Sequence, residues 1–236
     1  MTKLRQILLP LLLTFLPFPA LSQSGPVVVE LFTSQGCSSC PPADALMEEL
    51  AQRDDVIPLA LHVDYWDYIG WADTFAQAKF TERQKGYASA NGRRMIYTPQ
   101  MVVNGLHDVV GAKAMKLADL IMQHKMAPQQ AQVSAARDGA ELSVSIRPTN
   151  GALTGPVDIF LVRYMPQANV AIERGENAGR TITYINTVHD WSQLGQWNGQ
   201  GAADLTAPID GDLPAVVLLQ TPQFGSILAA ARVEAQ

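Results

Sequence analysis

The chain has 236 residues, 47% of them hydrophobic, and a formal net charge of -5. That apolar content is enough for a real core, as one large domain or two small ones. A mildly acidic chain with no basic run argues against nucleic acid and against anionic membrane surfaces as partners.

In chain order, Met1-Thr2-Lys3-Leu4-Arg5 is a short positive region, followed by an apolar run from Ile7 to Leu16. Pro17 and Pro19 then break any helix. Ala20-Leu21-Ser22 sets small residues where a signal peptidase reads, so residues 1–22 are expected to be a secretory signal peptide. The run is about ten residues long and a spanning helix needs roughly 20, which disfavours a membrane anchor. An exported protein is expected, periplasmic or extracellular, with no membrane association after signal removal. Without Lys3 and Arg5 the net charge moves by two, from -5 to -7.

Val27 to Phe32 reads as a buried strand, and Thr33 to Gly36 as a turn. Ala43, Leu46, Met47, Leu50 and Ala51 recur at helical spacing, with Asp44, Glu48, Glu49 and Gln52 between them on the polar side. Val56 to Val63 is a second apolar strand, so a right-handed βαβ unit with parallel strands is expected. An aromatic loop, Asp64-Tyr65-Trp66-Asp67-Tyr68-Ile69-Gly70-Trp71, precedes a helix predicted over about 72–90. Trp66 and its neighbours Tyr65, Tyr68 and Trp71 are candidates for an apolar rim that binds a partner peptide or for packing against the second domain. Tyr97-Thr98-Pro99 leads into a strand at 100–103, Asn104-Gly105 signals a hairpin, and 108–110 returns. A last helix is predicted over 111–126, with Met115, Ala118, Ile121 and Met122 inward.

After Pro128 the pattern changes. Leu142, Val144 and Ile146 alternate with serines, and further strand-like runs lie near 157–164, 181–189, 214–220 and 226–233. Residues 129–236 read as a small antiparallel β-sandwich following an α/β domain at 25–128. Glu173-Arg174-Gly175-Glu176-Asn177 reads either as a polar turn or as charges near the domain junction. His107, His124 and His189 are isolated in sequence.

The two cysteines stand in Gly36-Cys37-Ser38-Ser39-Cys40-Pro41. A bridge across so short a loop removes little unfolded-state entropy, so it is a poor staple. That shifts the expectation to redox or metal chemistry. A helix start carries free N–H groups and the positive end of the dipole, both of which favour a thiolate. Cys37 is then the attacking sulfur, with a lowered pKa, and Cys40 the resolving one. Pro41 and Pro42 donate no N–H and fit the first helical turn. CxxC also serves zinc and copper, and two thiolates with His62 as third ligand would suit Cu(I). His62 and Asp64 sit at the strand end where α/β folds place active groups, although the pattern favours a hydrogen-bonded histidine holding the aromatic loop. Glu30, in an otherwise apolar strand, is a candidate proton acceptor, or an acid paired with lysine or arginine. A third possibility is a binding module with a static disulfide.

The segment Val27–Leu50, with Thr98-Pro99 before a strand, resembles the thioredoxin superfamily. The resemblance implies an α/β thioredoxin-like fold, a cis peptide at Pro99 shaping a substrate groove, and Thr98 presenting backbone groups to an extended peptide. It implies for Glu30 the role of a buried acid that helps deprotonate the resolving cysteine. More closely, the chain resembles a family of predicted secreted bacterial proteins, domain of unknown function 1223. This rests on the run Glu30 to Asp44 around the cysteines, on His62-Val63-Asp64-Tyr65-Trp66-Asp67, Arg83-Gln84, Tyr97-Thr98-Pro99-Gln100 and Glu173 to Asn177. The expected activity is thiol–disulfide exchange with protein thiols or disulfides, requiring no cofactor.

Overall fold

β1 (Val27–Thr33) and β2 (Val56–His62) are buried along their whole lengths and pair in parallel, Val27 opposite Val56 through Thr33 opposite His62. The computed structural model describes residues 25–235, so the signal-peptide expectation lies outside the described residues. Helix α1 (Pro41–Ala51) connects β1 to β2, which makes the expected βαβ unit. β3 (Gln100–Val103) pairs antiparallel with β1, and β4 (His107–Val110) with β3. Helices α2 (Ala78–Ala90) and α3 (Ala114–Met126) complete the first half. Among the described residues no helix is long and apolar enough to cross a membrane.

Alternation along β1 assigns its two faces, because successive side chains point to opposite sides of a sheet. Val28 and Phe32 pack with Phe80 and Tyr87 of α2. Val29 and Leu31 pack with Ala43, Met47 and Leu50 of α1 and with Leu117 and Ile121 of α3. β1 therefore has an α2 face, which carries Glu30, and an α1 face, which carries Thr33.

The strands after residue 128 do not form a self-contained sandwich. β5 (Ala131–Asp138), β6 (Glu141–Pro148) and β9 (Ala203–Pro208) make a three-stranded antiparallel sheet. β7 (Val157–Ala171), β8 (Thr181–Trp197), β10 (Ala215–Gln220) and β11 (Ile227–Val233) instead extend the first sheet to eight strands, in the order β11-β10-β7-β8-β2-β1-β3-β4. The join is a parallel contact of β8 with β2 at Thr187 opposite Ala60. A strand as apolar as β2 is buried on both faces and needs a neighbour on each edge. The smaller sheet covers the outer part of the larger one, with Leu142, Val144 and Ile146 against Ile159, Val217 and Leu219. The fold is thus mixed α/β, with sandwich-like packing at one end.

Two helices are shorter than their patterns predict. α2 begins at Ala78 and not near 72, because Asp73 is engaged as an acceptor for Gln35, His62 and Phe75. α3 begins at Ala114 and turns Leu117 and Ile121 inward. Met115, Met122 and Ala118 face solvent, the reverse of the expectation for all three.

Candidate functional site

Cys37 and Cys40 form a disulfide with a Cα–Cα separation of 5.4 Å. The local sequence places it. After β1 the chain turns at Ser34, whose carbonyl accepts the Cys37 N–H and whose hydroxyl accepts the Gly36 N–H. Gly36 lets Trp66 and Ile69 pack close, since a Cβ would lie 3.2 Å from Trp66 Cβ and 3.3 Å from Ile69 Cδ1, tighter than ordinary contact. Cys40 is the N-cap of α1, its carbonyl accepting the N–H groups of Ala43 and Asp44 at 2.8 and 3.1 Å. Pro41 and Pro42, which have no N–H to leave unpaired, fill the first turn as expected.

Both cysteines are closed off from solvent, at 1% and 0% exposure. The connection between β7 and β8 bonds to the backbone of the cysteine loop. Buried Asn177 donates through Nδ2 to the carbonyls of Gln35 (3.0 Å) and Cys37 (2.9 Å). Glu176 accepts the Ser38 N–H at 3.3 Å. Gly175 lies against Trp71, whose indole N–H donates to Gln35 Oε1 at 2.8 Å. The Glu173–Asn177 run is therefore a clasp over the cysteine loop as well as a polar turn.

The Thr98–Pro99 peptide is cis. Gln100 pairs with Phe32, so the next register step sets Pro99 opposite Thr33, at the end of the sheet where the cysteine loop leaves β1. Trp66 bridges the two segments, packing on Gly36 and donating from Nε1 to Thr98 Oγ1 at 2.7 Å. Trp66 and Trp71 thus hold the cysteine loop, while Tyr68 is the strongly exposed aromatic of that loop.

Glu30 does not reach the cysteines. It lies on the α2 face, where its carboxylate receives Arg83 at 2.6 and 3.2 Å and the Tyr87 hydroxyl. Arg83 also donates to Gln220 of β10 at 3.0 Å and stacks 3.7 Å over the Trp191 ring. Burial opposes the Arg83 charge, but Glu30 outweighs it and keeps the guanidinium protonated. The proton-acceptor role expected for Glu30 is accordingly replaced by the pairing role.

The α1 face holds a different acid. Asp44, which the helical pattern places on the polar side of α1, is buried at 3% exposure. Its Oδ1 accepts the Thr33 hydroxyl at 2.8 Å and its Oδ2 has no partner. Burial pushes Asp44 up from 3.8 to about 7, against the opposing pulls of His62 and the Thr33 hydroxyl. His62 is fully buried, with Nδ1 2.7 Å from Asp73 Oδ2 and Nε2 unpartnered. Burial pushes Asp73 up, but His62 and the Gln35 and Phe75 N–H groups outweigh it and hold that carboxyl below its ordinary range. The His62 ring meets Phe75 and Tyr184 edge-on.

The copper-type set of Cys37, Cys40 and His62 is not assembled: the sulfurs are bonded to each other and His62 is held by Asp73. Among the described residues no group of three or more His, Cys, Asp or Glu is arranged to hold a metal ion. Asp64 accepts the Thr81 hydroxyl at 2.5 Å, which ties the aromatic loop to α2. His107 and His124, isolated in sequence, meet at 3.0 Å.

Sequence reasoning missed Asp44, Asp73 and Asn177 as site residues. An acid four residues after Cys40 was a usable signal for the first. Asn177 is joined to the cysteine loop only by long-range folding.

The family described as "Protein of unknown function (DUF1223)" matches residues 28–220. Among solved structures, the chain is similar to protein AGR_C_4864 from Agrobacterium tumefaciens, an X-ray crystal structure, at 33% identity and a TM-score of 0.77, over 89% of this chain and 94% of that one. It is also similar in fold to HBP35 of Porphyromonas gingivalis, at 14% identity and a TM-score of 0.67, over 91% and 78% of the two chains. No curated protein matches.

Proposed function

The chain belongs to the DUF1223 family, and from that premise we propose that it is an exported, thioredoxin-like thiol–disulfide oxidoreductase acting on protein thiols or disulfides through Cys37 and Cys40. The observation that carries the reading is the disulfide at the junction of β1 and α1, with Cys40 as the helix N-cap. The positive end of the α1 dipole at that helix start favours a thiolate when the bridge opens. The parallel β1–α1–β2 unit and the cis Thr98–Pro99 bond before the β3–β4 hairpin support the thioredoxin-like reading. Export rests on the signal-like segment 1–22.

In this reading a substrate thiolate attacks Cys37 Sγ and the Cys37–Cys40 bond breaks. A mixed disulfide forms on Cys37, and a second substrate thiol displaces it. The substrate is oxidised by two electrons and the protein is left as a dithiol. Run in reverse, the dithiol reduces a substrate disulfide and another protein dithiol recharges it.

The burial of both cysteines, with Asn177 bonded to the Cys37 carbonyl, favours a second reading, in which the disulfide is static and the protein is a binding module. An insulin-reduction assay with dithiothreitol separates the two, run on wild type, Cys37→Ser and Cys40→Ser beside a Cu(I) titration. Turnover by wild type, lost in both variants, is expected. A disulfide that resists reduction, with no turnover, supports the static reading. Tight binding of one copper without turnover would move the assignment to metal handling.

A further inference from the structure

Cys40 is fully buried, so when the disulfide opens its sulfur leaves as a thiolate with no bulk water beside it. An isolated buried charge is costly, and the proton that neutralises it must come from a group inside the protein. The groups on the α1 side of the sheet can be enumerated by element. α1 supplies Asp44. β1 supplies Thr33, which does not titrate in this range. β2 supplies His62, the loop before α2 supplies Asp73, β8 supplies Tyr184, and the β7–β8 connection supplies Glu176, on the Ser38 N–H, and Arg180, held by Asn177. Glu30 is on the opposite face and is committed to Arg83.

Asp44 is the member placed to serve Cys40. The Cys40 backbone is already helical, with φ -78° and ψ -36°, and Asp44 is four residues on. Side chains at that spacing are neighbours on one helix face, about 5–6 Å apart at Cβ. The Asp44 N–H donates to the Cys40 carbonyl, which fixes the turn between them. One carboxylate oxygen is held by Thr33 and the other, Oδ2, is buried without a partner. His62 Nε2, Tyr184 OH and Thr187 Oγ1 are also buried without partners. Buried groups left under-satisfied call for an explanation, and for a carboxyl one helical turn from a cysteine a proton-handling role is one.

We propose that Asp44 is the proton donor and acceptor for Cys40. The proposal deepens the oxidoreductase reading and rests on it. When a substrate thiolate attacks Cys37 and the Cys37–Cys40 bond breaks, the Asp44 carboxyl gives its proton to the leaving Cys40 sulfur. The products are a mixed disulfide on Cys37, a neutral Cys40 thiol and an ionised Asp44. In the reverse direction Asp44 takes the proton back as Cys40 attacks the mixed disulfide. His62, held by Asp73, lies near enough to favour the ionised form of Asp44 after transfer. Tyr184 is kept neutral by burial, which raises its pKa.

The test is the rate at which dithiothreitol reduces the oxidised protein between pH 5.5 and 8.5, corrected for the reagent's own thiolate fraction. Wild type is expected to show a step near pH 7, faster on the acid side where Asp44 holds its proton. Asp44→Asn is expected to lose the step and to be slower by about 100-fold at pH 6, the low end of what a positioned acid supplies. Thr33→Val removes the hydrogen bond that favours ionised Asp44, so the step is expected to move to higher pH with the fold intact. A step that survives unchanged in Asp44→Asn, or no step in wild type, overturns the proposal. Because dithiothreitol reports on the disulfide directly, absence of insulin turnover would count against the oxidoreductase reading alone.

Discussion

The two faces of β1 carry the same chemistry to opposite ends. On the α2 face, Glu30 meets Arg83, Tyr87 and, through them, Gln220, and its carboxylate is fully engaged. On the α1 face, Asp44 has one donor and an idle oxygen. Both acids are buried in one sheet-and-helix core, a few residues from the cysteine loop in sequence. The difference teaches that burial of an acid is not itself a mark of function. A buried carboxylate closed by an arginine joins α2 and β10 to the central strand. One that is left short of partners keeps its proton near neutral pH and can trade it.

The largest effect expected from breaking this contrast lies on the closed side. Glu30→Gln leaves the Arg83 guanidinium buried without its counter-charge, at a cost of about 3–5 kcal/mol. Urea denaturation is expected to show that loss between pH 6 and 8.

Asp44→Asn is expected to act in the opposite direction on stability. The folded pKa of Asp44 is raised from 3.8 to about 7, so the folded protein binds more protons than the unfolded chain between those values. Wild-type stability from this group is therefore full below about pH 4 and falls as pH rises toward 7. The variant escapes that loss. It is expected to be more stable than wild type at pH 8 by a few kcal/mol, with about 4 kcal/mol as the ceiling, and no more stable at pH 4. A variant that is stabilised where it loses its pH-dependent reduction is the signature of a group kept for work.

A smaller effect is expected at the clasp. Asn177→Ala removes two hydrogen bonds to the cysteine loop, worth about 1 kcal/mol each. Reduction of the disulfide by a phosphine is expected to speed up by about 30-fold, the equivalent of about 2 kcal/mol. No acceleration would mean that opening of the Glu173–Asn177 segment does not limit access. The smallest effect is expected at the exposed pair of Glu82 and Lys85 on α2. Glu82→Ala is expected to change stability by less than about 0.5 kcal/mol, which sets the scale against which the buried acids stand out.

Much of the first half was legible because its signals are local. Two continuous apolar runs, the helical spacing after Cys40, and Thr98-Pro99 before a strand lead directly to the βαβ unit and to the neighbourhood of the cysteines. Asp44 was misassigned because polarity periodicity sorts residues by type. It grouped Asp44 with Glu48 and Glu49, which are exposed, although Asp44 turns inward to Thr33 at the end of β1. The joining of β8 to β2 was not readable either, since alternation reveals which face of a strand is buried and not which strand lies beside it. The same holds for Asn177, whose two contacts span 140 and 142 residues of chain. Glu30 showed both of its possible roles in sequence, and only its register on β1 decided between them.

Covalent trapping tests the central assignment most directly. Reduced Cys40→Ser protein is incubated with insulin, quenched with acid and weighed by mass spectrometry. A mixed disulfide linking Cys37 to an insulin cysteine is expected, because the attacking sulfur is present and the resolving one is not. The Cys37→Ser variant is expected to give none. Absence of the adduct in Cys40→Ser, or equal trapping by both variants, would contradict a reactive centre in which Cys37 attacks and Cys40 resolves.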